Sequence, residues 1–499
     1  MNVPVVFRAL ANMVYLLAAA MTITLIAAYV IPSDDHHNRD IGPFGWSISI
    51  AITIGIAFLL KSLEGWLTDG KKKREKGKLL RREAIALVGL SWFVGTIVAA
   101  LPYLFCGLGI TPTNAIFESI SGLTTTGATV FTDIEGLPKS VLLWRSLTQW
   151  VGGMGILAMF VVILPGMAAS SKALIGAESS LASSDVASIR QTMRRIWILY
   201  SGFTFICGIG LYFMGLTAFE AINHALTALS TGGFSTENAS VGGAEPFHAG
   251  SKVWLAVFML IGGITFPFHI AVLRVHRWKD FRASRYEEVF VFLSVVVVTT
   301  GILALQKTLV GGKIAVVDLF FNIVSVITSS GYTSSDFTQW SDLGVFTLLV
   351  LMITGGCGGS TAGGLKIGRI MLWGRVIHSN LVRTYRPQYV DSLRLNGQTV
   401  SDDTRNSLFL VISCFILFSL GGTALFLALQ PEVSFFGAFS AVISCLSNIG
   451  PALSDMHPAD AFRNLHWPTK YLCIVLMALG RLEYVAVLVL FTRQLWKKY

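Results

Sequence analysis

In Phe117-Glu118-Ser119-Ile120-Ser121-Gly122-Leu123-Thr124-Thr125-Thr126-Gly127-Ala128-Thr129 an apolar half-helix runs into hydroxyl residues and then a glycine. The pattern returns as Asn223-His224-Ala225-Leu226-Thr227-Ala228-Leu229-Ser230-Thr231-Gly232-Gly233-Phe234. It returns again as Phe321-Asn322-Ile323-Val324-Ser325-Val326-Ile327-Thr328-Ser329-Ser330-Gly331-Tyr332, and as Ser440-Ala441-Val442-Ile443-Ser444-Cys445-Leu446-Ser447-Asn448-Ile449-Gly450-Pro451. Each of Gly127, Gly233, Gly331 and Gly450 stands ten residues after the start of its stretch, at intervals of 106, 98 and 119 residues. Each interval has room for two membrane-spanning helices. The chain carries a four-fold internal repeat, and a repeat of this kind governs the whole fold.

Of the 499 residues 53% are apolar and only 13% charged, whereas soluble domains carry about 25% charged residues. With a mean hydropathy of +0.66, the chain is expected to be an all-α polytopic membrane protein. Its apolar runs are long enough to cross about 30 Å of hydrocarbon, and they lack the alternation of a β-barrel. The six cysteines have no metal-ligand spacing and read as packing residues. The first apolar run is too long for a cleavable signal. A net charge of +10 reports topology here and not nucleic acid.

Residues 9–31 and 43–60 read as two spanning helices joined by a polar outer loop over 33–40. The basic run over 71–78 then reads as cytosolic. Four units of helix, half-helix and helix follow. Their spans fall near 84–107 and 140–167, 196–216 and 253–273, 289–306 and an interrupted 344–379, and 407–429 and 468–491. The expected divisions are 1–83 for the N-terminal helix pair with its basic loop, then 84–195, 196–287, 288–400 and 401–499 for the four repeats. Most of the 38 Lys and Arg fall on the side opposite the half-helices, which puts both termini in the cytosol. The outer side is acidic, with Asp133, Glu135, Glu237, Glu245, Asp336, Asp342, Glu432, Asp455 and Asp460 among its residues. That is either a solvated face or a mild concentrator of cations.

A half-helix followed by irregular backbone is excluded from lipid and tolerated only inside protein or along a water-filled cavity. Four copies around one axis make such a cavity. The glycines permit positive φ, so successive carbonyls can face the axis, where rings of carbonyls replace the hydration shell of K+. The hydroxyls of Thr125, Thr126, Thr231, Ser329 and Ser330 offer further oxygens. The negative C-terminal ends of the half-helices favour a cation at the membrane centre. Glu220 and Asp318, in the first turns of their half-helices, stabilise the helix dipole and cap or bind ions. Glu118 sits deeper, with its role open, and His224 packs or hydrogen-bonds beside the turn. Tight helix packing through small residues explains glycines in a spanning helix but not half-helices too short to span.

Over its whole length the sequence resembles the TrkH family of bacterial potassium-uptake proteins, within the superfamily that includes KtrB and plant HKT transporters. The most specific pieces are 121–129, Gln149-Trp150-Val151-Gly152-Gly153-Met154-Gly155, the glycine-rich stretch 355–366, and Leu479-Gly480-Arg481-Leu482-Glu483. The resemblance implies a single-chain pseudo-tetrameric pore in the bacterial inner membrane, assembled as a homodimer among membrane lipid. It implies a cytosolic TrkA-like partner that binds NAD and ATP-type nucleotides and controls opening. The family's filter residues match here at Thr125, Thr126 and Gly127, at Thr231, Gly232 and Gly233, at Ser329, Ser330 and Gly331, and at Asn448, Ile449 and Gly450. K+ is then the ion bound and carried, with no organic cofactor in this chain. A Na+-preferring relative is the alternative within transport. A membrane-embedded enzyme would need a His-Glu-x-x-His or Gly-x-Ser-x-Gly constellation, and the sequence has neither.

The second span of the third unit is interrupted by Thr354-Gly355-Gly356-Cys357-Gly358-Gly359-Ser360-Thr361-Ala362-Gly363-Gly364. Glycine this dense does not hold a helix, at about 1 kcal/mol per residue against alanine. A phosphate-cradling loop is excluded by spacing, since no Gly-Lys-Ser/Thr follows. At the corresponding point of the fourth unit stands Arg481, costly in an apolar span by about 2.5–3.5 kcal/mol unless satisfied. Loop carbonyls and Glu483 are its expected partners. With Gly355, Gly356, Gly358 and Gly359 it is expected to form a barrier below the filter, as the resemblance also implies. Arg145 lies nearer the outer end of its span, a position from which arginine snorkels.

Overall fold

The computed structural model describes residues 3–30, 42–68, 81–167, 186–243, 246–274, 286–310, 314–337, 340–389, 393–396, 398–454 and 462–493. The loop 33–40 expected on the outer side, the basic run 71–78, the residues Arg277, Lys279, Arg282 and Arg285 expected in the cytosol, and the acidic Glu245, Asp455 and Asp460 lie outside them.

The chain is helical. Two long apolar helices, α1 (Val3–Val30) and α2 (Gly42–Thr68), pack along each other and onto the first repeat. Trp46 of α2 meets Trp144 edge-on at 5.8 Å and donates its indole N–H to Ser140 at 3.2 Å. The first repeat runs through α3 (Arg81–Ala99), the short α4 (Leu101–Phe105), the half-helix α5 (Pro112–Leu123) and α6 (Lys139–Met167). The second has α7 (Val186–Phe213), the half-helix α8 (Ala218–Leu229), α9 (Ala249–Gly263) and α10 (Phe266–Arg274). The third has α11 (Glu287–Val310), the half-helix α12 (Val316–Ile327), α13 (Asp342–Thr354) and α14 (Ile367–Tyr385). A two-stranded hairpin, β1 (Arg394–Leu395) and β2 (Gln398–Thr399), pairs Arg394 with Thr399. The fourth repeat has α15 (Asp402–Leu429), the half-helix α16 (Phe435–Ser447), α17 (Trp467–Arg481) and α18 (Val485–Leu490).

Six described helices are long and apolar enough to cross a membrane, or seven with the bent pair α9–α10 counted as one span. Large apolar side chains such as Phe58, Trp66, Phe213 and Leu309 point outward, as a lipid-facing surface requires and a water-facing one of this extent does not.

The half-helices have 12, 12, 12 and 13 residues, about 18–20 Å at 1.5 Å per residue, too short to span. Their starts follow capping chemistry. Thr111 caps α5 ahead of Pro112, and Ser434 caps α16. Thr217 and Glu220 form a reciprocal capping box on α8. Asp318 departs from the expected cap: α12 has no side-chain cap, and Asp318 pairs instead with Lys252 at 3.0 Å.

Two spans expected to be continuous are broken. The span near 253–273 bends by 100° between α9 and α10. Gly262 and Gly263 weaken the end of α9, and Pro267, lacking an N–H, opens α10. The last span stops at Arg481 and restarts at Val485, with Glu483 and Tyr484 both left-handed at φ 53° and 57°.

Candidate ion pathway

All four half-helices end by the same device. The residue two positions before each glycine is left-handed: Thr125 (φ 51°), Thr231 (52°) and Ser329 (53°), each second after its helix, and Asn448 (52°), first after its helix. The amides of these residues return to Gly122, Ala228, Val326 and Cys445. The next amides, of Thr126, Gly232, Ser330 and Ile449, return to Ser121, Thr227, Ser325 and Ser444 at 2.8–3.0 Å. This is the Schellman arrangement, normally closed by glycine. Here Thr125, Thr231 and Ser329 each carry about 1–2 kcal/mol of left-handed cost, while Asn448 is of the type that takes this cap most readily after glycine. The third residue of each turn, Gly127, Gly233, Gly331 or Gly450, is again at positive φ, between 75° and 106°. In the second repeat it is Gly233 and not Gly232 that takes this conformation. Alternating the sign of φ turns carbonyls that would alternate in a strand toward one side.

The glycines also fix how the repeats meet. A Cβ on Gly127 would collide with the carbonyl oxygen of Gly232. One on Gly233 would strike that of Ser330, one on Gly331 that of Ile449, and one on Gly450 that of Thr126 at 2.6 Å. Each repeat thus leans on the middle residue of the next, and the fourth closes on the first. The four turns form one ring in chain order around a common axis.

Side chains behind the ring hold it. Gln149 donates to the Gly232 carbonyl at 2.7 Å and accepts the Phe234 amide at 3.1 Å. The register that places Glu118 in the first repeat places His224 and Asn322 in the next two. Glu118 accepts the Val130 amide at 3.1 Å, and Asn322 accepts the Ser334 amide at the same distance. His224 contacts Ser235 at 3.2 Å and the Glu220 carbonyl at 2.9 Å. Glu118 also accepts from Arg145 at 2.8 Å. The expected snorkelling of Arg145 does not occur: it is 1% exposed, because the half-helix supplies a carboxylate at its depth. Asn448 donates to Thr126 Oγ1 at 3.0 Å across the seam between the fourth and first repeats.

The innermost side-chain oxygens differ among repeats. Thr125 Oγ1 and Asn448 Oδ1 are buried without a protein partner. Thr231 donates to Thr361 at 3.2 Å, and Ser329 accepts the Gly363 amide at 2.5 Å. Thr361 and Gly363 belong to the glycine-rich stretch, which lies against the inner end of the ring. Thr361 also bonds the Leu229 carbonyl at 3.1 Å, and a Cβ on Gly363 would collide with the Ser447 carbonyl.

The stretch finds its backbone partners in the break of the second repeat. The Cys357 amide bonds the Gly263 carbonyl at 2.9 Å, the Thr361 amide the Gly262 carbonyl at 3.2 Å, and the Phe266 amide the Gly359 carbonyl at 3.2 Å. Irregular backbone at membrane depth needs such partners, and two broken helices supply them to each other. Gly355, Gly359 and Gly364 are left-handed. Gly356 lies against Ala362 and the Gly263 carbonyl, and Gly358 donates its amide to Glu288. Arg481 is buried and donates to the Thr361 carbonyl at 2.8 Å. Its expected pairing with Glu483 is corrected: Glu483 pairs with Arg369 at 2.5 Å and Lys366 at 3.6 Å. The left-handed turn after Arg481 sends the two side chains in different directions. No disulfide joins the six cysteines, and all six are buried.

A closed ring of four half-helix turns inside a multi-span bundle gives the chain the pseudo-tetrameric architecture of a membrane pore. Residues 48–498 match the TrkH family, described as cation transport protein, and the chain belongs to that family, one of transporters and not of enzymes. It is 33% identical over 452 residues to the Trk system potassium uptake protein TrkH of Salmonella typhimurium, covering 89% of this chain and 92% of that one. The protein of the same name from Vibrio parahaemolyticus is 31% identical over 504 residues, covering 98% and 99%. The crystal structure of the potassium transporter TrkH from Vibrio parahaemolyticus superimposes with a TM-score of 0.86 at 26% identity over the full length of both chains.

Proposed function

We propose that the chain carries K+ inward across the bacterial inner membrane through a gated, K+-selective pore, with both termini cytosolic. The observation that carries the reading is the closed ring, in which four positive-φ glycines each abut a carbonyl of the next repeat. Carbonyls so held can stand in for K+ hydration, with Thr125, Thr126, Thr231, Thr-like Ser329 and Ser330, and Asn448 adding side-chain oxygens. The relatives named as potassium uptake proteins support potassium as the cargo. Stretch 355–364 is the gate: it blocks the inner end of the ring, and Arg481 both holds it and repels cations. Flux of K+ and Na+ into liposomes holding the purified chain tests the reading. Preferential K+ flux is expected, and equal or Na+-biased flux overturns it.

The same reading extends to the assembly. Two copies form the working unit, and a cytosolic TrkA-type subunit binding NAD or ATP-type nucleotides sets the gate through α14. The exposed Arg383, Arg386 and Arg394 near the cytosolic ends of α14 and the hairpin suit a docking face, besides their topological role. Co-expression with a TrkA-type subunit should yield a co-purifying complex whose flux responds to nucleotide. A chain that purifies alone and ignores nucleotides refutes this part.

A further inference from the structure

Glu288 lies outside the ring, in the first turn of α11, yet it is 1% exposed. Burying a carboxylate is costly unless something compensates it, and a carboxylate serves the α11 dipole equally well from the solvent side. What it gains inside is the gate stretch. Oε1 accepts the Gly358 amide at 2.5 Å, a charge-assisted bond of the stronger kind. The first turn of α14 closes over the same carboxyl, since a Cβ on Gly368 would fall 2.8 Å from its Cδ.

The other side of Glu288 faces the hairpin. Its own amide donates to Asn396 Oδ1 at 3.2 Å, and Asn396 is left-handed at φ 50° where the hairpin turns. Neighbouring Glu287 pairs with Arg375 of α14 at 2.7 Å, and Arg375 also donates to the Arg394 carbonyl of the hairpin. Hairpin, α11, α14 and the gate stretch therefore meet at two consecutive acidic residues.

We infer that Glu288 is the latch of stretch 355–364, a positioning residue that holds it against the ring, and that hairpin 394–399 steadies the latch from the cytosolic side. The inference rests on reading that stretch as the gate. Displacing the hairpin would shift Glu288, free the Gly358 amide and loosen the stretch.

Cys357 sits inside the stretch, beside the latched residue, and is fully buried, so its thiol reports loosening without any ion flux. The full-length chain in detergent is treated with N-ethylmaleimide, and labelling is followed at each cysteine by peptide mass spectrometry. Glu288→Ala should speed Cys357 labelling by about tenfold or more, the scale of a lost charged hydrogen bond. Glu288→Gln, which keeps an acceptor oxygen, and Asn396→Ala should give smaller rises, while Cys445 and Cys473 stay at the wild-type rate. An unchanged Cys357 rate in Glu288→Ala overturns the latch whatever the pore carries. If Glu288→Ala exposes every cysteine alike, the milder variants decide, and wild-type Cys357 rates in both overturn it. K+ flux of the same variants in liposomes separates the two ideas. Faster Cys357 labelling with unchanged flux supports the latch and overturns the gate.

Discussion

Arg145 and Glu118 form an ion pair at 2.8 Å with side chains 1% and 0% exposed. The carboxylate also takes the Thr129 hydroxyl and the Val130 amide, each at 3.1 Å. The guanidinium reaches the Ser235 carbonyl at 3.2 Å and lies 4.0 Å from the Phe234 ring centroid. One pair thereby ties the segment after the first turn to the segment after the second. Removing one partner of a buried pair costs about 3–5 kcal/mol. Arg145→Ala should lower the unfolding temperature markedly and reduce K+ preference over Na+. A variant with wild-type Tm and permeability ratio would show that the pair holds nothing.

Gly127→Ser places a Cβ against the Gly232 carbonyl at a φ of 82°. The carbonyl must turn away, so Na+ permeability should rise relative to K+. Gly301 has open space around it, and Gly301→Ala should leave selectivity alone and add up to about 1 kcal/mol of helix stability. Reversal potentials across K+ and Na+ gradients compare the two. Equal ratios in Gly127→Ser and wild type would remove Gly127 from the filter.

Arg481→Ala deletes the donor to Thr361 and the fixed charge below the ring. Shortening 355–364 removes the steric block that we propose there. Both variants should pass K+ faster than wild type in liposomes without any partner, with K+ preference kept because the ring is untouched. Wild-type rates in a folded loop deletion would put the barrier in the ring itself.

Glu237, in the loop between α8 and α9 that the proposed orientation places outside, has its carboxyl pushed up to about 7 by burial and by the negative charges of Glu135 and Glu220. It is therefore protonated and neutral below about pH 7 and negative above it. Cations should gather at the mouth as external pH rises through 7, so K+ uptake at low external K+ should increase over pH 6–8. Glu237→Gln should flatten that rise. A wild-type pH profile in the variant would exclude Glu237 as its source.

The half-helices and their glycines were legible because hydroxyl-glycine ends recur at a fixed register, and the dense glycines betrayed the interruption after Thr354. The left-handed residue two positions earlier was not, since Thr125, Thr231, Ser329 and Asn448 are of types that ordinarily avoid that conformation or reach it for many reasons, and none is glycine. The bend at Ile264 had a signal in Gly262, Gly263 and Pro267 that a hydropathy reading passes over. The partners of Glu118 and Glu288 were beyond reach for another reason. Arg145 and Gly358 stand 27 and 70 residues away in sequence, and only the packing within each repeat brings them near. Arg481 and Glu483 illustrate the opposite error, in which closeness in sequence suggested a bond that the local turn forbids.

The glycine-rich stretch that we propose as the gate comes from the third repeat alone, Arg481 from the fourth and the Glu118–Arg145 pair from the first. A ring of four identical subunits would carry every part in fourfold stoichiometry: four plugs crowding one exit, four arginines repelling one another. Joining unlike quarters in one polypeptide lets each part be present once per conduction path. It also localises change. A substitution in this chain alters one quarter of the ring, where the same substitution in four identical subunits would alter every quarter at once.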